Sequence, residues 1–158
     1  MSHGDLGESL AHGGFALAIM NTVISGSSGG ISVLFINYFR NVIKGETGYW
    51  SVLATLNGGL AGMVAACAGC NNMHQWAAFL IGIIAGCNYY LYSEILIRLN
   101  IDDLLDAFPV HFGGGIVGLL LTPIFMYDGI IYSGGKSGKQ FQIFFFQTKL
   151  KNKNSFQF

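Results

Sequence analysis

His111 is the residue whose type and position point most directly to chemistry. It lies inside the apolar run from Ala107 to Gly118, more than one helical turn after Asp106. An ionisable group at that depth is costly and usually faces a cavity or a pathway. Desolvation favours the neutral imidazole, which can accept a proton or pass one on. A pore role and a buried histidine bonded to a neighbouring helix both fit the residues, so both interpretations stay open.

Glycines and aspartates surround this histidine in the sequence. The glycines form a smooth, narrow helix face that suits either a pore or close helix packing: Gly113, Gly114, Gly115 and Gly118. The carboxylates precede the segment: Asp102, Asp103 and Asp106. Carboxylates in a first turn stabilise the amino end of a helix and cap its free N–H groups. Metal binding or acid–base chemistry is the alternative, but no histidine or cysteine adjoins them, so capping is favoured.

Two other patterns resemble reactive sites without completing one. Cys67 and Cys70 form a CxxC that His74 follows, but zinc needs a fourth ligand at suitable spacing and none is found. Gly134 to Ser137 is similar to the end of a phosphate-binding loop, yet Ile130 stands where its first glycine should be. With no nucleophile–base pair either, the sequence predicts no enzyme, no metal site and no cofactor.

Composition places these residues in a membrane. Of the 158 residues 52% are hydrophobic and 10% are charged, against roughly 25% charged residues in a soluble domain. Net charge is zero, so nothing points to nucleic acid as a partner. Each of four apolar stretches reaches about 20 residues or more, enough for a helix to cross a bilayer: Ala11 to Phe39, Trp50 to Ala68, Trp76 to Ile97 and Ala107 to Tyr127.

Each predicted crossing carries a GxxxG spacing: Gly26/Gly30, Gly58/Gly62, Gly82/Gly86 and Gly114/Gly118. Small residues one turn apart let helices approach closely in lipid, which predicts a multi-pass bundle. The first crossing has a polar middle of Asn, Thr and Ser residues, which is tolerable where it faces other protein. Glu94 and Arg98 share one helix face, four residues apart, and predict an ion pair there.

The distribution of charged residues predicts a domain boundary and an orientation in the membrane. Residues 128–158 form an aromatic tail that carries five of the eight basic residues, separate from a membrane domain at 1–127. Arg40 directly precedes the first connection, Lys44 lies within it and Arg98 begins the third, while the second has no fixed charge. The positive-inside rule then places the first and third connections in the cytoplasm and both termini outside. The lysines of the tail favour the reverse, but we give the short connections more weight.

Several ordered blocks carry a family resemblance. The run from Ile101 to Gly118, IDDLLDAFPVHFGGGIVG, resembles the DDPxD...HxGxGxxG signature of the Amt/Mep/Rh ammonium transporters. Upstream blocks, SVLATLNGGLAGMVA, AGC, WAA and GIIAG, resemble the Amt branch in the right order. Leu104 departs from the pattern, because the family has proline there. The resemblance covers roughly residues 11 to 127.

The resemblance implies an all-α fold and a function. The chain would supply the seventh to tenth helices of an eleven-helix fold with two inverted repeats, assembled as a homotrimer with one pore per subunit. His111 aligns with the second histidine of the twin pair that lines the family's pore. We therefore expect an integral, multi-pass protein of the plasma membrane that moves ammonium or ammonia, as a fragment of a complete transporter. The alternative is a non-transporting membrane protein that associates with complete transporter subunits.

Overall fold

The protein is an α-helical bundle in a computed structural model that describes residues 3–45, 51–127, 129 and 131. Four α-helices follow one another in the described ranges: α1 (His3–Lys44), α2 (Val52–Ala66), α3 (Gln75–Arg98) and α4 (Gly114–Phe125), the last preceded by a π-helical turn, Pro109–Gly113. No strand occurs in the described ranges, where Met73 and Met126 form an isolated bridge. Apart from residues 129 and 131, the tail at 128–158, with its glycines at 134–135, lies outside the described residues.

Local sequence explains several helix ends. Ser51 caps α2, because its side chain accepts a hydrogen bond from the Ala54 N–H at 3.3 Å. After α1 the chain turns through Gly45 at φ 67°, and after α3 through Asn100 at φ 53°. Glycine and asparagine are the residues that adopt this left-handed conformation most readily, so both helices end where the sequence permits it.

The four predicted apolar segments all contain helices, with different ends. The stretches Gly14–Lys44 and Gln75–Arg98 are long and apolar enough to cross a membrane, while Val52–Ala66 and Pro109–Phe125 are shorter apolar helices. At 1.5 Å per residue, the 15 residues of α2 extend about 22 Å against a hydrocarbon core of about 30 Å. Four crossings and their orientation stay predictions.

Close packing along a glycine seam joins α1, α2 and α3. The seam consists of five glycines that face another helix: Gly29, Gly58, Gly62, Gly82 and Gly86. A side chain at Gly82 would overlap the hydroxyl of Ser28 and the carbonyl of Ser25, and one at Gly62 would overlap the same carbonyl. The backbones therefore touch directly, as the GxxxG spacings predict.

The polar middle of α1 faces this seam. Asn21, Ser25, Ser28 and Ser32 are all buried. Ser28 and Ser32 donate to carbonyls three residues earlier, at 3.0 and 2.8 Å, so their hydroxyls are satisfied within α1. Ser25 instead donates to the carbonyl of Gly62 on α2 at 2.8 Å. These four residues therefore face other protein, as expected, whereas Ser27 on the same stretch is exposed.

Candidate transport site around His111

His111 lies in the middle of the π-helical turn, Pro109–Gly113, which we call the His111 turn. π-Helical turns are rare and occur often at functional sites. The imidazole is exposed on the surface of the bundle, and it has no hydrogen-bonding partner in the described part of the chain. The expected buried position is therefore not found among these helices, and neither is the bond to a neighbouring helix.

The four glycines near His111 differ in their surroundings. A side chain at Gly114 would come within 2.8 Å of the Ala61 carbonyl, and one at Gly118 within 2.5 Å of the Ala65 carbonyl. A side chain at Gly113 would come within 3.0 Å of the Tyr92 ring. Gly115 has nothing within 4 Å of that position. Three of the four thus face α2 or α3, whereas Gly115, about one turn beyond His111, borders open space.

The three aspartates also have different roles. Asp103 accepts a hydrogen bond from the Phe108 N–H at 2.9 Å, which is the capping contact that the sequence favours. Asp102 is exposed. Asp106 does not cap the helix with its carboxylate but accepts from Tyr89 Oη at 2.7 Å and Ser93 Oγ at 3.3 Å, both on α3. Its own backbone is left-handed, with φ at 53°. Asp106 therefore ties the start of the His111 turn to α3.

Two asparagines complete the polar contacts of this region. Asn88 Nδ2 on α3 donates to the carbonyl of Gly113 at 3.0 Å, at the end of the turn. Asn57 Nδ2 on α2 donates to the carbonyl of Leu105 at 3.2 Å, just before the turn. Sequence reasoning missed Asn57, Asn88 and Tyr89. The available signal was their polarity inside long apolar segments, which typically marks a contact with other protein.

Aromatic rings flank the turn on the side of α3. Phe108 and Phe112 stack with centroids 4.6 Å apart, and the Tyr92 ring meets them edge-on at 6.1 and 5.9 Å. Phe108 and Phe112 remain 45% and 47% exposed, so the cluster forms part of the same open surface as His111. The site thus combines an exposed imidazole, an open glycine and an aromatic wall.

Other sequence-predicted residues lie elsewhere. Glu94 pairs with Arg40 of α1, which also contacts Tyr90, so the predicted Glu94–Arg98 pair is wrong. Residues four apart share a helix face, but a partner on another helix took precedence. His74 packs edge-on against Tyr127, 4.4 Å between ring centroids. Within the described ranges no three His, Cys, Asp or Glu residues are placed to hold a metal ion.

The fold and composition define a polytopic helical membrane protein that bears an exposed histidine, His111, in an apolar helical segment. The family model described as Ammonium Transporter Family matches residues 6–151, and the chain belongs to this family. Family membership makes it an integral membrane protein of a transporter family. The match also covers most of the segment at 128–158 that composition separates from the membrane domain.

Similar proteins support the same assignment. A Caenorhabditis elegans protein assigned as an ammonium transporter is 43% identical over 129 residues, which are 79% of this chain and 23% of that protein. The ammonium transporter MEP2 of Saccharomyces cerevisiae is 31% identical over 75% of this chain and 23% of its own length. The chain spans about a quarter of the length of the curated relatives that it matches.

Solved structures agree in fold. The crystal structure of Saccharomyces cerevisiae Mep2 superposes with a TM-score of 0.63 at 31% identity, covering 71% of this chain and 24% of that one. A Candida albicans Mep2 mutant superposes with a TM-score of 0.64 at 26% identity, over 71% and 27% of the two chains. The helical arrangement is therefore that of part of an ammonium transporter.

Proposed function

We propose that this chain contributes one side of a transmembrane pathway for ammonium or ammonia, with His111 lining that pathway as a proton-relaying group. Family membership supports the substrate class. The trimeric assembly, with one pore in each subunit, and a second histidine opposite His111 follow from the family resemblance and belong to this proposal. No covalent catalysis and no cofactor are part of it.

The exposed position of His111 is the observation that carries the proposal. An imidazole facing hydrocarbon would lose its hydrogen bonds to water, at considerable cost in a membrane segment. No polar group of the described helices compensates for that loss. The face that bears His111 is therefore suited to water or to a polar partner from further helices, and Gly115 leaves room beside it.

The chemistry follows from the properties of imidazole. A neutral ring places no fixed charge in the pathway, so it does not block a cation by repulsion. One nitrogen donates and the other accepts, so the ring can take a proton from ammonium and pass it to a neighbouring imidazole. The stacked rings of Phe108 and Phe112 nearby offer an apolar wall that favours the uncharged species.

The experiment joins residues 1–127 to the remaining helices of yeast Mep2, at the aligned boundaries, in yeast that lacks ammonium transport. We expect His111→Ala to abolish or strongly reduce ammonium uptake at normal surface abundance. His111→Glu should retain flux with altered pH dependence and weaker discrimination against other cations, because a carboxyl still exchanges protons. His74→Ala, in a connection away from the turn, is the matched control.

Two outcomes would count against the proposal. Wild-type flux and selectivity in a well-expressed His111→Ala protein would remove this residue from the mechanism. Growth on low ammonium supported by residues 1–158 alone, without upstream helices, would show that the exposed face needs no partner. We expect no such growth, and a surface-expressed chain that associates with complete subunits without transporting would instead support the non-transporting alternative.

A further inference from the structure

The contacts of α3 with the His111 turn are arranged at both of its ends. Asn88 and Tyr89 are consecutive on α3, yet Tyr89 reaches Asp106 before the turn and Asn88 reaches Gly113 at its end. The backbone N–H of Val110 also donates to the Asp106 carbonyl at 3.1 Å, which links the anchored residue to the turn itself. His111 lies between the two anchored ends.

A π-helical turn needs such support because it is less stable than the α-helix around it. Each π-helical turn holds one more residue than the hydrogen-bonding pattern of an α-helix allows. If the turn relaxed to α-helix, the shift of one residue would rotate the His111 side chain by about 100° about the helix axis. The direction of the imidazole therefore depends on whatever keeps the turn in its π form.

The two anchors are suited to that role. Tyr89 is 1% exposed and its hydroxyl is 2.7 Å from the carboxylate of Asp106, a half-buried residue, so the bond is partly shielded from water. Buried bonds to a charged acceptor are among the stronger ones in proteins. The Asn88 amide supplies a side-chain donor to Gly113, where the helical pattern changes from π to α. The two contacts thus lie at the two ends of the turn in its π form.

We propose that Asn88 and Tyr89 are positioning residues that hold the His111 turn in its π form and so aim the imidazole at the transport pathway. The proposal rests on the pathway role of His111 but makes a separate structural claim. Asp106 is the acceptor through which Tyr89 acts. Because neither Asn88 nor Tyr89 has to touch ammonium, each acts through the direction of His111.

The test measures the direction of His111 without measuring transport. The full chain is reconstituted in lipid nanodiscs and treated with diethyl pyrocarbonate, and mass spectrometry gives the carbethoxylation rate of each histidine. We expect Tyr89→Phe and Asn88→Leu to lower the rate at His111 at least about threefold, because the relaxed turn withdraws the imidazole from the open face. The rate at His74, in the connection between α2 and α3, should stay unchanged and serves as the internal control.

Matched variants separate positioning from a general loss of structure. Tyr92→Phe removes another hydroxyl from α3, one that has no bond to the turn, and should leave the His111 rate as in the wild type. Asp106→Asn keeps an acceptor for Tyr89 and tolerates the left-handed backbone, so it should also remain near the wild type, whereas Asp106→Ala should resemble Tyr89→Phe. In the transporter joined to Mep2 helices, Asn88→Leu should lower the maximal rate about tenfold at unchanged surface abundance.

Each result has a definite meaning. An unchanged His111 rate in both Asn88→Leu and Tyr89→Phe would overturn the positioning role, even if His111→Ala abolishes transport. Equal changes at His111 and His74 would overturn it too, because the variants would then loosen the whole bundle. A lowered His111 rate together with normal transport in His111→Ala would leave the positioning claim standing and remove the pathway role instead.

Discussion

The glycine seam and the His111 turn hold helices together by opposite means. Along the seam, glycines let α1 touch α2 and α3 directly, and most of the buried hydroxyls bond within their own helix. At the turn, the contacts are long-range hydrogen bonds from Asn57, Asn88 and Tyr89 to one short segment. The seam is held by close packing of helix backbones, whereas the turn is held by hydrogen bonds from individual polar side chains.

This difference matters because the two regions respond differently to change. An atom added between two closely packed backbones pushes the helices apart along the whole interface, because a close-packed interior has no room to adjust locally. A hydrogen bond can be removed singly, and its loss affects the segment that it holds. We therefore expect substitutions in the seam to act on the entire bundle, and substitutions at the turn to act on His111.

The largest loss of stability is expected from a substitution in the glycine seam. Gly82→Ala places a methyl group on the Ser25 carbonyl and the Ser28 hydroxyl, where backbone has to move. We expect a loss of about 3 kcal/mol of stability, at the upper end for overpacking. Thermal unfolding in mild detergent measures it. Gly14→Ala, with nothing within 4 Å, is the control. Equal stability of both variants would show that the seam is looser than its geometry indicates.

A smaller effect is expected at Asn21, where α1 uses a polar tether like those of the turn. Its Nδ2 donates to the Cys70 and Met73 carbonyls at 2.7 and 2.9 Å, and the residue is fully buried. Asn21→Leu should cost about 2 kcal/mol, because both carbonyls lose their partner. Loosening should be local, so the Cys70 thiol should react faster with maleimide once the other cysteines are replaced by serine.

The neighbouring threonine provides the control for that experiment. Thr22 Oγ donates to the Ala18 carbonyl of its own helix at 2.8 Å, so Thr22→Val should leave the labelling rate of Cys70 unchanged. If Asn21→Leu lowers the stability of the whole bundle without changing the labelling of Cys70, the hydrogen bonds of Asn21 stabilise the entire bundle, as the seam does. The distinction between close backbone packing and polar tethers would then not hold on α1.

The ion pair between α1 and α3 is expected to contribute less. Arg40 and Glu94 side chains are 41% and 31% exposed, so water and salt screen their attraction. A double-mutant cycle with Arg40→Ala and Glu94→Gln should give a coupling of less than about 1 kcal/mol that falls as salt rises. Arg98→Ala should not change the contribution of Glu94. If the coupling energy between Glu94 and Arg98 is larger than that between Glu94 and Arg40, the ion pair within α3 is the correct one.

The sequence predicts the glycine seam better than it predicts the His111 turn. Apolar length and GxxxG spacing are local signals, and they predicted the helices and the close approach between them. The π form of the His111 turn left no such signal, because apolar residues at 107–118 fit a continuous α-helix equally well. Spacing predicts which residues share a helix face but not which other helix meets that face.

Glu94 and Asp106 illustrate this limit. A local rule paired Glu94 with Arg98, but the partner is Arg40, which is 54 residues away in sequence. A local rule also predicted that Asp106 caps a helix, but its carboxylate accepts a hydrogen bond from Tyr89 on α3. In each case a tertiary neighbour took precedence over a local one. The importance of His111 was visible from its type, while its exposed position required the arrangement of all four helices.

The smallest expected loss of stability comes at Gly115, about one turn beyond His111. A side chain at Gly114 or Gly118 of the same helix would meet an α2 carbonyl, but one at Gly115 would meet nothing within 4 Å. Gly115→Ala should therefore leave the bundle intact or stabilise it by up to about 1 kcal/mol, since alanine favours helix over glycine. In the transporter joined to Mep2 helices, the added methyl group would lie one turn from His111 and narrow the proposed pathway. We expect ammonium uptake to fall several-fold at unchanged surface abundance, whereas Gly114→Ala should lower abundance itself. If Gly115→Ala loses abundance, this position packs against a further helix; if uptake and abundance both stay normal, the open face beside His111 does not border the pathway.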